Sequence, residues 1–159
     1  MMKIVVAVDG SKYTEMCLAT AAFLCKDRSN LKVHVVNVLP HFSDLDFELM
    51  PRDREVMRNS FTQRSEAMLR NAIDYLEKQG IKDVQADIIK GASPSEAIID
   101  YTEKEKANLL IIGARGASEG ARFLLGAEAP KIVKYTPCCV YIVKETCMEF
   151  CPMPTNPVS

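Results

Sequence analysis

The sequence predicts a single-domain α/β fold, a doubly wound and mostly parallel five-stranded sheet with helices on both faces. Two continuous apolar runs, residues 4–8 and 109–112, are typical of central strands that are covered on both faces. Strand-like and helix-like segments alternate along the chain, which indicates right-handed crossovers between parallel strands. The length of 159 residues, 48% of them hydrophobic, suits one hydrophobic core.

The chain opens with a strand followed by a helix. Residues 4–8 form the first strand, which is β-branched except for Ala7. Gly10 and Ser11 then end the strand and offer a helix cap, and apolar residues recur at helical spacing to about residue 27. This first unit is therefore β then α.

The next unit combines a strand with a long helix. Residues 31–39 form the strand, which stops at Pro40. Residues 41–50 show no regular spacing of hydrophobic residues and are expected to form a loop. The helix follows over about residues 52–79, and Gly80 supplies its C-terminal stop.

A third strand and helix follow. Hydrophobic residues alternate over residues 84–88, as in a strand with one face less buried. Residues 93–96, Ser-Pro-Ser-Glu, form a capping box with proline at the first helical position, and this helix runs to about residue 106.

The last part of the chain supplies two more strands around a glycine-rich loop. Residues 109–112 form a fully apolar strand, and residues 113–126 follow as a loop punctuated by glycines. A short helix over about residues 127–135 is separated by Pro137 from the last strand, residues 139–143.

Composition and charge exclude several classes of partner. Twenty basic and twenty-one acidic residues give a formal net charge of -1, so no overall field favours nucleic acid or an anionic membrane. The N-terminal apolar run is too short for a signal peptide or a membrane span, and a cytoplasmic location is expected. One domain is expected over residues 1–144, and the proline-containing segment 145–159 is expected to be an irregular tail.

The chain has six cysteines. Four fall in a predicted helix or strand and are interpreted as buried thiols acting as small hydrophobes: Cys17, Cys25, Cys138 and Cys139. Cys147 and Cys151 form a C-x3-C pair in the tail. That pair is read either as an inert reduced segment or as part of a metal site or redox switch completed by a second chain.

Two loops are candidates for a ligand site. In doubly wound sheets, ligands bind outside the carboxyl ends of the strands at the point where strand order reverses. Residues 9–11 follow the first strand, and residues 113–126 follow the fourth. Glycines in such a loop let the backbone approach a polyphosphate closely, with N–H groups of the next helix facing the anion.

The spacing of Gly113, Gly116 and Gly126 reproduces the ATP-binding motif of universal stress proteins. Four further segments agree with that family: residues 4–11, 34–38, 110–116 and 136–143. On these motifs the chain resembles the universal stress protein family over about residues 2–144, in the branch that carries the ATP motif. The resemblance implies a Rossmann-like fold of the adenine nucleotide alpha hydrolase type.

The resemblance also implies a ligand and its contacts. The ligand would be ATP or another adenine nucleotide, with magnesium if phosphates are bound. By this resemblance, seven residues would contact the nucleotide. Asp9 would contact the ribose and phosphates, and the Val35 backbone would contact the adenine edge. Ile112 and Gly113 would lie beside the sugar, and the phosphates would be bound by Gly116, Gly126 and the Ala127 amide.

Each of these residues also has a purely structural interpretation. Asp9 could form only a turn that caps the first helix, and Val35 is a core strand residue with or without a base above it. Gly113 and Gly116 could serve only a tight turn, and Gly126 could be a simple helix-cap position. These alternatives stay open at the level of sequence.

The motif is degenerate after its third glycine. Nucleotide-binding members carry Ser or Thr there, whereas this chain has Ala127, followed by Glu128 and Ala129. A lost hydrogen bond to a charged group costs roughly 1.5–3 kcal/mol, and a carboxylate at a helix N-terminus competes with an incoming phosphate. The alternative function is therefore a nucleotide-free dimeric interaction module.

No catalytic arrangement is visible, and the protein is expected not to be an enzyme. The two histidines, His34 in a strand and His41 in a loop, form neither a metal site nor a triad, and His34 is read as a strand residue with a satisfied ring. No lysine follows the glycines as a Walker A loop requires. A slow ATP hydrolase is the weakest alternative, with Asp9 as its one candidate metal ligand.

The family resemblance suggests a stress-response or signalling module that works as a homodimer with a further, unidentified protein partner. The dimer would form by antiparallel pairing of the last strand, which would also satisfy its unpaired edge groups. The residues of that strand are Cys139, Val140, Tyr141, Ile142 and Val143.

Overall fold

A computed structural model describes residues 1–39, 50–115 and 125–144. These residues form alternating strands and helices: β1 Met2–Ala7, α1 Lys12–Cys25, β2 Leu31–Val38, α2 Pro51–Lys78, β3 Val84–Ile89, α3 Pro94–Glu105, β4 Leu109–Gly113, α4 Glu128–Tyr135 and β5 Cys139–Val143. The predictions for the loop before α2 and for the tail fall almost entirely outside the described residues.

The five strands form one parallel sheet in the order β3-β2-β1-β4-β5. Helices α1 and α2 cover one face, and α3 and α4 cover the other. The predicted doubly wound α/β fold is confirmed. Strand order reverses between β1 and β4, because the chain moves from β1 outward to β3 and then returns to the other side of β1.

The central strand β1 shows why the apolar runs predict this arrangement. Ile4 and Val6 pack under α1 and α2, whereas Val5 between them packs under α3 and α4. All three side chains are buried. The predicted alternation in β3 also holds, since this edge strand alternates partly buried and exposed residues over most of its length.

Local signals set the helix ends. Gly80 adopts φ +90° after α2, and the Ile81 N–H donates to the Leu76 carbonyl at 3.1 Å, which completes a Schellman motif. Ser93 caps α3 by accepting from the Glu96 N–H at 3.3 Å. Helix α1 ends at Cys25, earlier than predicted, because Lys26 leaves the helical conformation with ψ 134° and Asp27 takes φ +57°.

The prediction of four buried thiols is right for Cys17 and Cys25 in α1 and wrong for Cys138 and Cys139 at the start of the last strand region. Cys17 and Cys25 are buried, and burial raises the pKa of the first to about 12 and of the second to about 11. Cys138 is half-buried and Cys139 is exposed. Strand β5 lies at the edge of the sheet, and its first residue is exposed there among the described residues. Among the described residues, no helix is long and apolar enough to cross a membrane.

Candidate functional site

A cleft of about 1190 Å³ opens at the carboxyl ends of the strands, where strand order reverses. This volume is somewhat above the usual range of about 300–1,000 Å³ for small-molecule sites. Its walls come from the turn after β1, the end of β2, one side of α2, the turn before α3, the end of β4 and the start of α4. This is the edge at which the sequence places a ligand.

The turn after β1 is held by its own side chains. The Asp9 carboxylate accepts from the Ser11 N–H at 2.9 Å, and the Thr14 hydroxyl oxygen accepts from the Gly10 N–H at 3.0 Å. Gly10 has φ +80°, and Ser11 caps α1 by accepting from the Tyr13 N–H. The Asp9 carboxylate therefore stabilises the turn before α1, as its structural interpretation predicts. Asp9 is also exposed and lines the cleft.

Gly113, at the end of β4, is needed for packing. A Cβ atom at this position would lie 2.6 Å from the Cβ of Tyr13 and 2.9 Å from its Cγ. Tyr13 is buried in the first turn of α1. The end of β4 and the start of α1 can therefore approach only because residue 113 has no side chain.

A backbone hydrogen bond closes the loop that follows β4. The Gly126 N–H donates to the Ala114 carbonyl at 2.8 Å, and the Ala114 N–H donates to the Val143 carbonyl at 2.8 Å. Ala127 is the N-cap residue of α4 and has no side-chain capping bond. The amide of the third glycine is thus already used within the protein.

Glu128, which follows Ala127, links α4 to α3. Its Oε2 accepts from the Ser95 N–H at 2.8 Å, so its carboxylate takes one of the free donors at the start of α3. Its Oε1 lies 3.9 Å from the Lys131 ammonium. Sequence reasoning placed this carboxylate beside the phosphates but missed its bond to α3, because nothing local connects the two helices.

A buried polar bridge supports the floor of the cleft. The Asn37 side-chain amide donates to the Val8 carbonyl at 2.7 Å, and the Ser65 hydroxyl donates to Asn37 Oδ1 at 2.6 Å. Asn37 and Ser65 are both buried and both line the cleft. They join β1, β2 and α2. The only sequence signal for this bridge is an asparagine within an apolar strand.

The structure brings together most of the residues that the resemblance implies. The members that line the cleft are Asp9, Ile112, Gly113, Gly126 and Ala127. Val35 does not line it, because it lies fully buried in the middle of β2, paired with Val6 and Ala86. Asn37 and Val38, nearer the carboxyl end of β2, occupy the wall instead. Gly116 lies outside the described residues.

His34 is the buried end of a row of three polar side chains that continues through partly buried Tyr101 to exposed Asp87. Its Nδ1 is 2.9 Å from the Tyr101 hydroxyl, which donates its proton to Asp87. The Tyr101 oxygen must therefore accept from an Nδ1–H of His34. The Nε2 atom is buried and has no hydrogen-bond partner within the described part of the chain. The predicted satisfaction of the ring holds for one nitrogen only.

The burial of His34 makes its protonation unfavourable. Burial lowers the pKa of His34, although the nearby carboxylates of Glu105 and Asp87 oppose that shift. An unfolded histidine titrates near pH 6.5, as a general reference, so below that pH the unfolded state binds more protons than the native state. The free energy of unfolding should therefore fall as the pH drops below about 6.5.

We expect urea unfolding of the wild type to show this fall between neutral pH and mildly acidic pH. In His34→Gln, which keeps a donor for Tyr101, the fall should be smaller. His41→Gln, a variant of the other histidine in the sequence, is the matched control and should keep the wild-type slope. An identical pH dependence in all three proteins would contradict this account of His34.

Comparison with known proteins places the chain in a known group. A model described as the universal stress protein family matches residues 1–144. A universal stress protein of Methanocaldococcus jannaschii is 27% identical over 147 residues, which cover 90% of this chain and 82% of that protein.

Solved structures give the same fold. A universal stress protein in complex with cAMP is 25% identical and superposes with a TM-score of 0.67, covering 89% of this chain and 96% of that one. The universal stress protein from Archaeoglobus fulgidus in complex with dAMP is 23% identical, with a TM-score of 0.64 and coverage of 91% and 98%. At 23% identity the second likeness concerns the fold alone.

Proposed function

This chain belongs to the universal stress protein family, and from that premise we propose that it is a non-enzymatic module that binds an adenine nucleotide in its cleft. The observation that carries the proposal is the convergence of the β1 and β4 loops on one cleft at the switch point of a parallel sheet. The 25% identical relative solved with cAMP supports the same ligand class.

The described residues fit a nucleotide in shape and in chemistry. Apolar side chains of Val38, Leu39 and Ile98 line one part of the cleft and offer a surface for a base. Arg64 and Arg115 also line the cleft and offer positive charge to a phosphate. The carboxylate of Asp9 is used in its turn, which agrees with a role in shaping the site rather than in hydrolysis.

Isothermal titration with AMP and with ATP plus magnesium tests the proposal, and mass spectrometry identifies any nucleotide that co-purifies. We expect micromolar binding. Ala127→Trp, which places an indole at the exposed cleft position Ala127, should abolish binding. Lys134→Trp, on the same helix but outside the cleft lining, is the matched control and should bind as the wild type does.

The second candidate is a nucleotide-free interaction module, which the lack of a hydroxyl at Ala127 and the internal use of the Gly126 N–H both favour. No binding of any adenine nucleotide at millimolar concentration would select this candidate. Measurable phosphate release that Asp9→Ala removes while binding persists would instead assign a slow hydrolase.

We further propose that the chain forms a homodimer through β5. Strand β5 lies at one edge of the sheet, and no strand of the described residues pairs with its outer side. Light scattering at micromolar concentration should give the dimer mass for the wild type. Cys139→Lys, at the exposed start of β5, should shift the mass toward the monomer. Gln85→Lys, exposed on the opposite edge strand, should not, and a monomeric wild type would refute the dimer.

A further inference from the structure

The start of helix α3 already holds an anion that belongs to the protein. Glu128 Oε2 accepts from the Ser95 N–H at 2.8 Å, and Lys131 lies 3.9 Å from Oε1. The Glu128 side chain remains 37% exposed and lies in the cleft wall, two residues after Gly126. Its negative charge is therefore fixed in position next to the degenerate end of the glycine motif.

Among the described residues, three backbone donors beside the cleft are already used within the protein. The Gly126 N–H donates to Ala114, and the Gly10 and Ser11 N–H groups donate to side chains of their own turn. Ala127 has no hydroxyl. A ligand that used these donors would have to break these bonds, and one phosphate needs fewer donors than a chain of phosphates.

The charges around the cleft also disfavour a ligand with several phosphates. Among the described lining residues, Asp9, Glu15 and Glu128 supply three carboxylates, against the two guanidinium groups of Arg64 and Arg115, and Lys131 lies beside Glu128 without lining the cleft. Every phosphate added to a ligand adds negative charge next to a wall whose described residues carry no net positive charge. The cost of binding therefore rises from AMP to ADP to ATP.

We propose that this cleft selects adenine nucleotides with a single phosphate over ATP, and that the Glu128 carboxylate sets this selectivity. The inference rests on the proposed adenine-nucleotide site and adds the class of ligand. The relative solved with cAMP, a nucleotide with one phosphate, is consistent with this class. The selectivity comes from residues of this chain, namely a carboxylate and an alanine after the third glycine.

Titration of the wild type with AMP, ADP and ATP tests the selectivity, first in EDTA and then with magnesium. In EDTA we expect AMP to bind about tenfold more tightly than ATP, with ADP between them. Magnesium should reduce the difference, because it neutralises part of the added phosphate charge. ATP binding as tightly as AMP in EDTA would overturn the inference and leave the proposed function standing.

The variant Glu128→Gln tests whether the charge of Glu128 sets the selectivity. The glutamine oxygen can still accept from the Ser95 N–H, so this variant removes the charge and keeps the link between α4 and α3. We expect its ATP affinity to rise by about tenfold, while its AMP affinity changes much less. Glu96→Gln is the matched control, because it removes a carboxylate from the first turn of α3 that does not line the cleft.

Ala127→Ser separates charge from hydrogen bonding. The added hydroxyl can donate to one phosphate of any ligand, so AMP and ATP should both bind more tightly and their ratio should not change. If Glu128→Gln folds as the wild type by circular dichroism and leaves the ratio of the two affinities unchanged, the role of Glu128 is refuted. If neither the wild type nor Ala127→Ser binds any of the three nucleotides, the proposed function itself is refuted together with this inference.

Discussion

Asn37→Ala should lower the free energy of unfolding by about 2–4 kcal/mol, since it leaves two buried polar groups without their partner. Asn37 donates to the Val8 carbonyl and accepts from the Ser65 hydroxyl, at 2.7 and 2.6 Å. Alanine can do neither. Chemical denaturation at neutral pH measures the change, with the slope of the unfolding transition as the check that both proteins unfold in two states.

Two further variants separate the bridge from a general effect of removing an amide. Asn71→Ala removes the same group from an exposed cleft position on α2 and should cost less than about 0.5 kcal/mol. Ser65→Ala removes one partner only, and combining it with Asn37→Ala should cost less than the sum of the two single changes. Equal losses for Asn37→Ala and Asn71→Ala would contradict a structural role for the bridge.

The bridge also matters for binding, because Val8 immediately precedes the Asp9 turn. Loss of Asn37 removes the side-chain link from the Val8 carbonyl to α2 and leaves the bond from the Val8 N–H to the Val36 carbonyl, so the β1 loop is held less firmly against α2. We therefore expect weaker nucleotide binding in Asn37→Ala than its global stability would explain. The hydrogen bonds of Asn37 therefore support both the stability of the fold and the geometry of the cleft.

The fold could be predicted from sequence because each element carries a local signal. The apolar run of β1 is long enough for a buried strand, Ser93 caps α3, and Gly80 ends α2 in a left-handed conformation. Such signals depend on residues a few positions apart. The alternation of strands and helices then leaves few topologies, and the parallel doubly wound sheet is the one observed.

The contacts within the site could not be predicted in this way. The bond between Ser95 and Glu128 joins residues 33 positions apart, and the contact of Gly113 with Tyr13 joins β4 to α1. Both depend on how helices are set against the sheet, which no local pattern encodes. The sequence predicts that the Glu128 carboxylate faces the phosphates and that Gly113 serves a phosphate turn. The structure shows that Glu128 joins α4 to α3 and that Gly113 lets β4 approach α1.

The same limit applies to where along β2 the cleft begins and to which strand lies at the edge of the sheet. The resemblance assigns the Val35 backbone to the adenine edge, whereas the cleft is lined by Asn37 and Val38, the last two residues of β2. An apolar strand pattern predicts that Cys139 is buried, but it does not say whether the strand is central or at an edge. Edge position follows from the order of all five strands.

Gly113→Ala is expected to be the second most damaging change, with a loss of about 1–3 kcal/mol in the free energy of unfolding from overpacking. The new Cβ would lie 2.6 Å from Tyr13 Cβ, a distance that requires backbone movement because the atom belongs to the stem of a buried side chain. Either the end of β4 or the start of α1 must shift. Both carry cleft residues, so nucleotide binding should fall as well.

Gly80→Ala is the matched control, since it adds the same methyl group where no atom lies within 4 Å of the new Cβ. Its φ of +90° makes alanine strained, so a loss of about 1 kcal/mol is expected there too. Gly80 does not line the cleft, and its variant should bind nucleotide as the wild type does. Binding that is lost only in Gly113→Ala would identify this glycine as the point where the two loops are brought together, whereas unchanged binding would mean that the site tolerates a shift of α1 against β4.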